Sequence, residues 1–195
     1  MKIVIATFNL GKLKEFKSLF KNSKFEVLAL NDFSSEDIEE TGKSYEENAL
    51  LKAKAAAKKT SLLAIGDDSG LEVSSLNNDP GLFSARYAGK DSTDEENISK
   101  LLKKMKLLKN SKAKFVSTLA FYDPQKKIEL FSYGELYGEI ISERRGNKGF
   151  GYDPIFKIKN SNKTLGETSF EERMKISHRA KSTINMINFL NQIYK

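Results

Sequence analysis

The chain has 195 residues, with no cysteine, no tryptophan and one histidine. That excludes disulfides, thiolate nucleophiles, iron–sulfur clusters, Cys-rich zinc sites and paired-histidine metal sites. Lys+Arg number 33 against 26 Asp+Glu, a net charge of +7, and the groups left for chemistry suit phosphate and oxygen-ligated Mg²⁺.

Ile3–Ala6 is a short β-branched run without polar alternation and predicts a buried strand. Asn9-Leu10-Gly11 follows as a turn. Lys12–Lys21 predicts a helix with Leu13, Phe16, Leu19 and Phe20 on one face, and Phe25–Leu30 a second strand. Ser44–Lys59 opens with the capping box Ser44-x-x-Glu47 and continues as an Ala-rich helix. Leu62–Gly66 and Leu71–Ser74 predict two strand pieces on either side of Asp67-Asp68-Ser69-Gly70. Asn77–Gly89 reads as a loop turning at Pro80-Gly81. Thr93-x-x-Glu96 caps a helix running to about Leu108. Phe115–Tyr122 and Ile128–Ile141 predict an antiparallel hairpin turning at Asp123-Pro124, with Ser142–Gly151 a loop beyond it. Ser169-x-x-Glu172 caps another helix. The last helix repeats Ala180, Ile184, Ile187 and Leu190 along one expected apolar face. Interleaved strands and helices around one long hairpin define an α/β class with a mixed sheet.

The length predicts a single domain, 1–195. No apolar run approaches the roughly 20 residues of a membrane span, and Met1–Thr7 lacks a signal-peptide apolar region. A cytoplasmic protein is expected. The +7 charge admits a polyanionic partner or a Lys-rich solvated surface. Only Arg86, Arg144, Arg145, Arg173 and Arg179 are arginines, and the scattered lysines favour the second reading.

Four segments combine turn residues with polar groups. Thr7–Lys12 joins a strand to a helix, so amides and the positive helix end can face an anion. It is not a P-loop, because an earlier glycine and a hydroxyl after the lysine are missing. Glu39-Glu40-Thr41-Gly42 precedes a helix with Glu46, Glu47, Asn48 and Lys52; it fits either a cation site or a solvated loop. Asp67 and Asp68, bracketed by Gly66 and Gly70, fit either a turn or metal ligands. Gly149-Phe150-Gly151-Tyr152-Asp153-Pro154 carries an aromatic between glycines that can stack on a base, and Ser177-His178-Arg179 adds polar groups.

Taken in order, Ala6–Lys12, Glu40-Thr41-Gly42, Glu47-Asn48-Ala49, Asp67–Leu71, Pro80-Gly81 with Ser84–Tyr87, Gly149–Pro154 and Ser177–Arg179 resemble the non-canonical purine NTP pyrophosphatases, the dITP/XTP pyrophosphatase or inosine triphosphatase family. The resemblance spans essentially the whole chain. It implies a long mixed sheet with flanking helices forming two lobes around a central nucleotide cleft. It implies Mg²⁺-dependent hydrolysis of ITP, dITP and XTP to the monophosphate and pyrophosphate, and a homodimer with no nucleic-acid or membrane partner. It carries Thr7, Phe8, Asn9, Leu10, Gly11 and Lys12 over as triphosphate-binding, and Glu40 and Asp68 as Mg²⁺ ligands. Asp68 also becomes the orienter or base for the attacking water, with Lys12, Lys52 and Asp67 in support. Ser69 contacts substrate, and Phe150, Gly151, Tyr152 and Asp153 form the base pocket with His178 and Arg179. Arg173 stands where the family has lysine, and Phe8 is bulkier than the family's usual residue there. The two rival classes are a nucleotide sensor that binds without hydrolysis and a basic nucleic-acid-binding module. Paired carboxylates without a metal serve neither.

Overall fold

Strand β1 (Lys2–Ala6) is buried on both faces, with Ile3 and Ile5 entering one hydrophobic cluster and Val4 and Ala6 another. This explains its unbroken apolar run. The computed structural model describes residues 1–35 and 38–195. The remaining strands are β2 (Glu26–Ala29), β3 (Leu63–Val73), β4 (Lys112–Asp123), β5 (Ile128–Ile140) and β6 (Phe156–Ile158), and the sheet order is β2-β1-β3-β4-β5-β6. β1 runs parallel to β2, with Val4 opposite Leu28, and parallel to β3, with Ala6 opposite Gly66. β6 is antiparallel to β5, with Ile140 opposite Phe156. The short link 124–127 makes β4 and β5 a hairpin. Among the described residues, five α-helices lie between or after the strands: α1 (Leu10–Phe20), α2 (Tyr45–Thr60), α3 (Asp94–Met105), α4 (Phe170–Ile176) and α5 (His178–Ile193). Among the described residues, no helix is long and apolar enough to cross a membrane.

The chain forms two compact units. The first comprises residues 1–68, 117–134 and 178–195. On one sheet face, Ile3, Ile5, Ile65, Leu119 and Phe121 pack with Phe16 and Phe20 of α1 and Met186 and Leu190 of α5. On the other, Val4, Ala6 and Ala64 pack with Ala56 and Ala57 of α2. The second unit comprises residues 69–116 and 135–177. Its core joins Leu71, Val73, Phe115, Leu136 and Phe156 to Ile98 and Leu101 of α3, with the Phe115 and Phe156 rings 4.7 Å apart.

Local chemistry explains where the elements depart from the sequence reading. α1 begins at Leu10, not after a turn, because the Asn9 side chain accepts from the Lys12 amide and caps it. The stretch from Leu63 to Val73 is one strand, so Asp67-Asp68-Ser69-Gly70 is not a turn. The 77–89 loop contains a 3-10 turn, Gly81–Arg86. α3 ends at Met105, ahead of Leu108. On α5 the expected face is rotated. Ile184 is exposed, and Arg179, Ala180, Thr183, Met186 and Leu190 are buried, because Arg179 and Thr183 occupy the inner side that hydropathy assigns to isoleucine. The capping boxes at Thr93 and Ser169 form as expected.

Tyr194 lies just beyond α5. Its ring meets Phe25 and Phe121 edge-on, and its hydroxyl donates to Asp123 Oδ2. Burial opposes ionisation of Asp123. Hydrogen bonds from Tyr194 and from the Lys126 and Gln125 amides outweigh it and hold the carboxyl below its ordinary pKa. A depressed carboxyl adds stability above its unfolded-state pKa of about 4, and that stability is lost as pH falls through the folded-state value. Tyr194→Phe is therefore expected to flatten the acid-side loss of stability, measured as urea midpoints from neutral to acid pH. Identical acid slopes in the two proteins would assign that loss to other groups.

Candidate active site

β1 ends at Ala6, and the next residues form a capped start to α1. The Asn9 amide donates to Thr7 Oγ1 at 3.2 Å, and the Lys12 amide donates to Asn9 Oδ1 at 3.0 Å. Phe8 packs against the cluster of Val4, Ala6 and Leu30, which accommodates its bulk. Leu10 is 71% exposed. Lys12, in the first turn, sends its ammonium back to Asp67, with Nζ 2.7 Å from Oδ2.

Strand alternation then separates two adjacent carboxylates. Asp67 shares its parity with Ile65, whose side chain joins the cluster of α1 and α5. Asp68 shares its parity with Ala64, which packs toward α2. On the first face, Asp67 Oδ2 meets Lys12 and, at 3.5 Å, Arg179 Nε, while Oδ1 accepts from Ser117 Oγ at 3.2 Å. On the second, Asp68 Oδ2 accepts from Asn48 Nδ2 at 2.9 Å, and Oδ1 lies 3.5 Å from Lys52 Nζ. Lys52 also pairs with Glu40 at 2.8 Å. Gly66 makes this possible. A Cβ there would lie 2.0 Å from the Ala49 carbonyl oxygen and 2.8 Å from the Ala53 nitrogen, so α2 rests directly on β3.

The two environments push the carboxyls apart. Burial opposes the charge of Asp67, but Arg179 and Lys12 prevail and hold its pKa far below the usual range. Burial raises Asp68, and Glu40 adds to the effect against the pull of Lys52 and the hydrogen bond from Asn48. The two adjacent carboxyls are thus displaced in opposite directions by their surroundings. Burial lowers Lys12 despite Asp67. Burial also opposes the charge of Lys52, yet Asp68, Glu40 and Asp67 outweigh it and raise the pKa. His178 is pushed well below 6.5 by burial and then by Arg179, so its imidazole is neutral near pH 7.

Glu40 and Asp68 could supply oxygen ligands to a cation such as Mg²⁺. Their carboxylates converge on one ammonium, at 2.8 and 3.5 Å, and Glu40 keeps a partly exposed side chain. Two hard oxygen donors from a loop and a strand suit a cation that retains several waters.

The second unit holds the aromatic segment. Gly149 has φ +84°, and a Cβ there would lie 1.9 Å from Asp153 Oδ2 and 2.2 Å from Arg173 Nη1. Asp153 Oδ2 accepts from the Phe150 amide at 3.2 Å and pairs with Arg173 at 3.3 Å. The Tyr152 hydroxyl donates to the Ser84 carbonyl at 2.9 Å, and the Gly151 amide donates to Asp94 at 2.6 Å. Arg173 thus ties down the carboxylate of the glycine-rich segment. Phe150 is half-buried, and Ser69 follows Asp68 on β3.

His178 and Arg179 open α5 in the first unit. Arg179 is 2% exposed, with Nη1 2.7 Å from Glu15 Oε2. The guanidinium therefore belongs to the carboxylate network of Asp67 and Glu15. Reading the sequence singled out neither Glu15 nor a role for Asn48. Glu15 follows Lys12 by three positions and so shares its helix face, the one available signal. Asn48 is placed by Gly42, whose amide donates to Asn48 Oδ1 at 2.8 Å.

Fold and site together define a mixed-sheet α/β protein with a strand-borne carboxylate pair, one member held by Lys12 and Arg179 and the other by Lys52. The chain belongs to the Ham1 family, whose sequence model matches residues 3–189. It is 44% identical over 189 residues to a dITP/XTP pyrophosphatase of Staphylococcus epidermidis, covering 96% of this chain and 95% of that one. It is 43% identical over 187 residues to a dITP/XTP pyrophosphatase of Staphylococcus aureus, covering 95% and 94%. A HAM1 protein from Coxiella burnetii matches with a TM-score of 0.90 at 39% identity, over 98% of this chain and 99% of that one. The Staphylococcus aureus Ham1 protein matches with a TM-score of 0.88 at 41% identity, over 99% and 100%. The family and the α/β class expected from the motifs are thus both found.

Proposed function

We propose that this chain hydrolyses ITP, dITP and XTP at the α–β phosphoanhydride, releasing the nucleoside monophosphate and pyrophosphate. The observation that carries the reading is geometric: Asp67 meets Lys12 and Arg179, and Asp68 meets Lys52 and Asn48, beside a capped helix start. The names of relatives at 43–44% identity support the substrate class.

Lys12 and the amides that open α1 receive the triphosphate and offset its charge. Asp67 stays ionised and fixes the Lys12 ammonium. Glu40 and Asp68 would hold Mg²⁺, which when bound offsets phosphate charge and acidifies a nearby water. Asp68 orients the attacking water and takes its proton as the new P–O bond forms and the bridging P–O bond breaks. Lys52 keeps the Glu40 and Asp68 carboxylates together. The motif resemblance assigns base recognition to Phe150, Gly151, Tyr152 and Asp153, with Ser69 and Arg173 beside them in sequence role. His178, neutral near pH 7, offers one ring donor and one ring acceptor. A donor matched to a 6-oxo group would be left unpaired by the amino group of ATP, which discriminates by orders of magnitude. A cytoplasmic homodimer acting as one domain over residues 1–195 completes the proposal.

The test is pyrophosphate release over ITP, XTP, dITP, GTP and ATP, with Mg²⁺ and with a chelator. Release from ITP, dITP and XTP is expected to exceed that from ATP by at least about 100-fold, and the chelator is expected to abolish it. No pyrophosphate from any nucleotide would overturn the proposal.

A further inference from the structure

Ser117 is out of place by composition. On β4 it shares a sheet face with Leu119 and Phe121, both fully buried in an apolar cluster, and is itself 1% exposed. A buried hydroxyl in such a row is costly unless it is hydrogen-bonded. Its Oγ lies 3.2 Å from Asp67 Oδ1 and 2.8 Å from Ser182 Oγ. Ser182 is fully buried on α5, and its Oγ lies 3.1 Å from the Arg179 carbonyl oxygen. The Ser182 carbonyl in turn accepts from Ser132 Oγ of β5 at 2.9 Å. A polar seam thus links β3, β4, β5 and the first turns of α5, all within the first unit.

Counting protons sets the direction of the seam. Ser117 and Ser182 bring one hydroxyl proton each, but three contacts ask for one: Asp67 Oδ1, the Ser–Ser contact and the Arg179 carbonyl. An ionised carboxylate is the strongest of these acceptors, so Ser117 donates to Asp67, and the Ser182 proton is divided between Ser117 Oγ and the Arg179 carbonyl. One oxygen of Asp67 is then committed to the seam, and the other meets Lys12 and Arg179.

We infer that Ser117 is a positioning residue for phosphate binding: by holding Oδ1 of Asp67 it aims Oδ2 at Lys12 and fixes the ammonium that receives the triphosphate. The inference rests on the proposed role of Lys12 and deepens it. Glycine supports the same arrangement from β5, because a Cβ at Gly134 would lie 2.0 Å from the His178 carbonyl oxygen and 2.6 Å from the Ser182 nitrogen. α5 therefore sits close enough to the sheet for Ser182 to reach Ser117.

The experiment measures binding of inorganic triphosphate by calorimetry and, separately, kcat and KM for ITP. Wild type is compared with Ser117→Ala, Asp67→Asn and the double variant. Ser117→Ala is expected to weaken triphosphate binding about tenfold and to raise the ITP KM by a similar factor with kcat little changed. The double variant is expected to bind as Asp67→Asn alone does, because Ser117 acts only through that carboxylate. Ser117→Cys, of similar shape but a weak donor, should follow Ser117→Ala; it also serves if the alanine variant fails to fold. Unchanged triphosphate binding, additive losses in the double variant, or a lowered melting temperature with unchanged KM would each overturn the inference. So would a wild-type protein that does not bind triphosphate. A wild type that binds triphosphate but releases no pyrophosphate from any nucleotide would overturn the proposed function and leave the Ser117 measurement valid.

Discussion

Asp68→Asn is expected to lower pyrophosphate release from ITP by about 10³-fold, with a melting temperature close to that of the unsubstituted protein. The substitution keeps shape but removes both the proton acceptor and the negative charge. It also meets a fixed neighbour. Asn48 directs its NH₂ at Asp68 Oδ2 and cannot turn over, because its own carbonyl oxygen is held by the Gly42 amide. An amide at position 68 must either oppose one NH₂ to another or turn its NH₂ toward Lys52, losing one of the two contacts. Lys52 keeps Glu40 as a partner, so the damage to folding is small. Release from ITP within tenfold of the unsubstituted protein would remove Asp68 from the chemistry. Loss of the folded state would show that its contacts are structural first.

Gly66→Ala is expected to cost about 3 kcal/mol in urea unfolding. Gly66 lies inside β3, where alanine is conformationally ordinary, so space alone demands glycine here. The added carbon would overlap the backbone of α2 at Ala49 and Ala53, and backbone cannot rotate away as a side chain can. α2 must lift, and it carries Asn48 and Lys52 with it. Activity should therefore fall further than the stability loss explains, seen as reduced kcat under conditions where the variant is fully folded. A cost under about 1 kcal/mol with unchanged kcat would mean that the helix can move without consequence.

These expectations also show how far the sequence could be read. β1, the Ala-rich α2 and the capped helices α3 and α4 announce themselves through local patterns, since a capping box or a β-branched run is complete within a few residues. Asp67-Asp68-Ser69-Gly70 is not of that kind. Its composition favours a turn, and it forms strand because Lys12, Arg179, Lys52 and Asn48 arrive from three helices to satisfy the two carboxylates. The inner face of α5 escaped hydropathy for the same reason: Arg179 is buried by virtue of Glu15, 164 positions earlier. The motif order singled out Lys12, Glu40, Lys52, Asp67 and Asp68, which the fold brings into two ion-pair groups. It could not show that the two aspartates face opposite sides of the sheet, nor that Ser117 stands behind one of them.

The first unit is assembled from three separated stretches of chain, and α5 is the last of them to be synthesised. Both stretches of the second unit leave the ribosome before α5 does, whereas the first unit waits for it. Until then the face made by Ile3, Ile5, Leu119 and Phe121 has no α5 to cover it, and Asp67 and Glu15 lack their guanidinium. Long-range closure of this kind is slow relative to local helix formation. During translation, then, the nascent chain carries that uncovered apolar face and those two carboxylates in the same unfinished half. Docking of α5 closes that face and brings the guanidinium to both carboxylates.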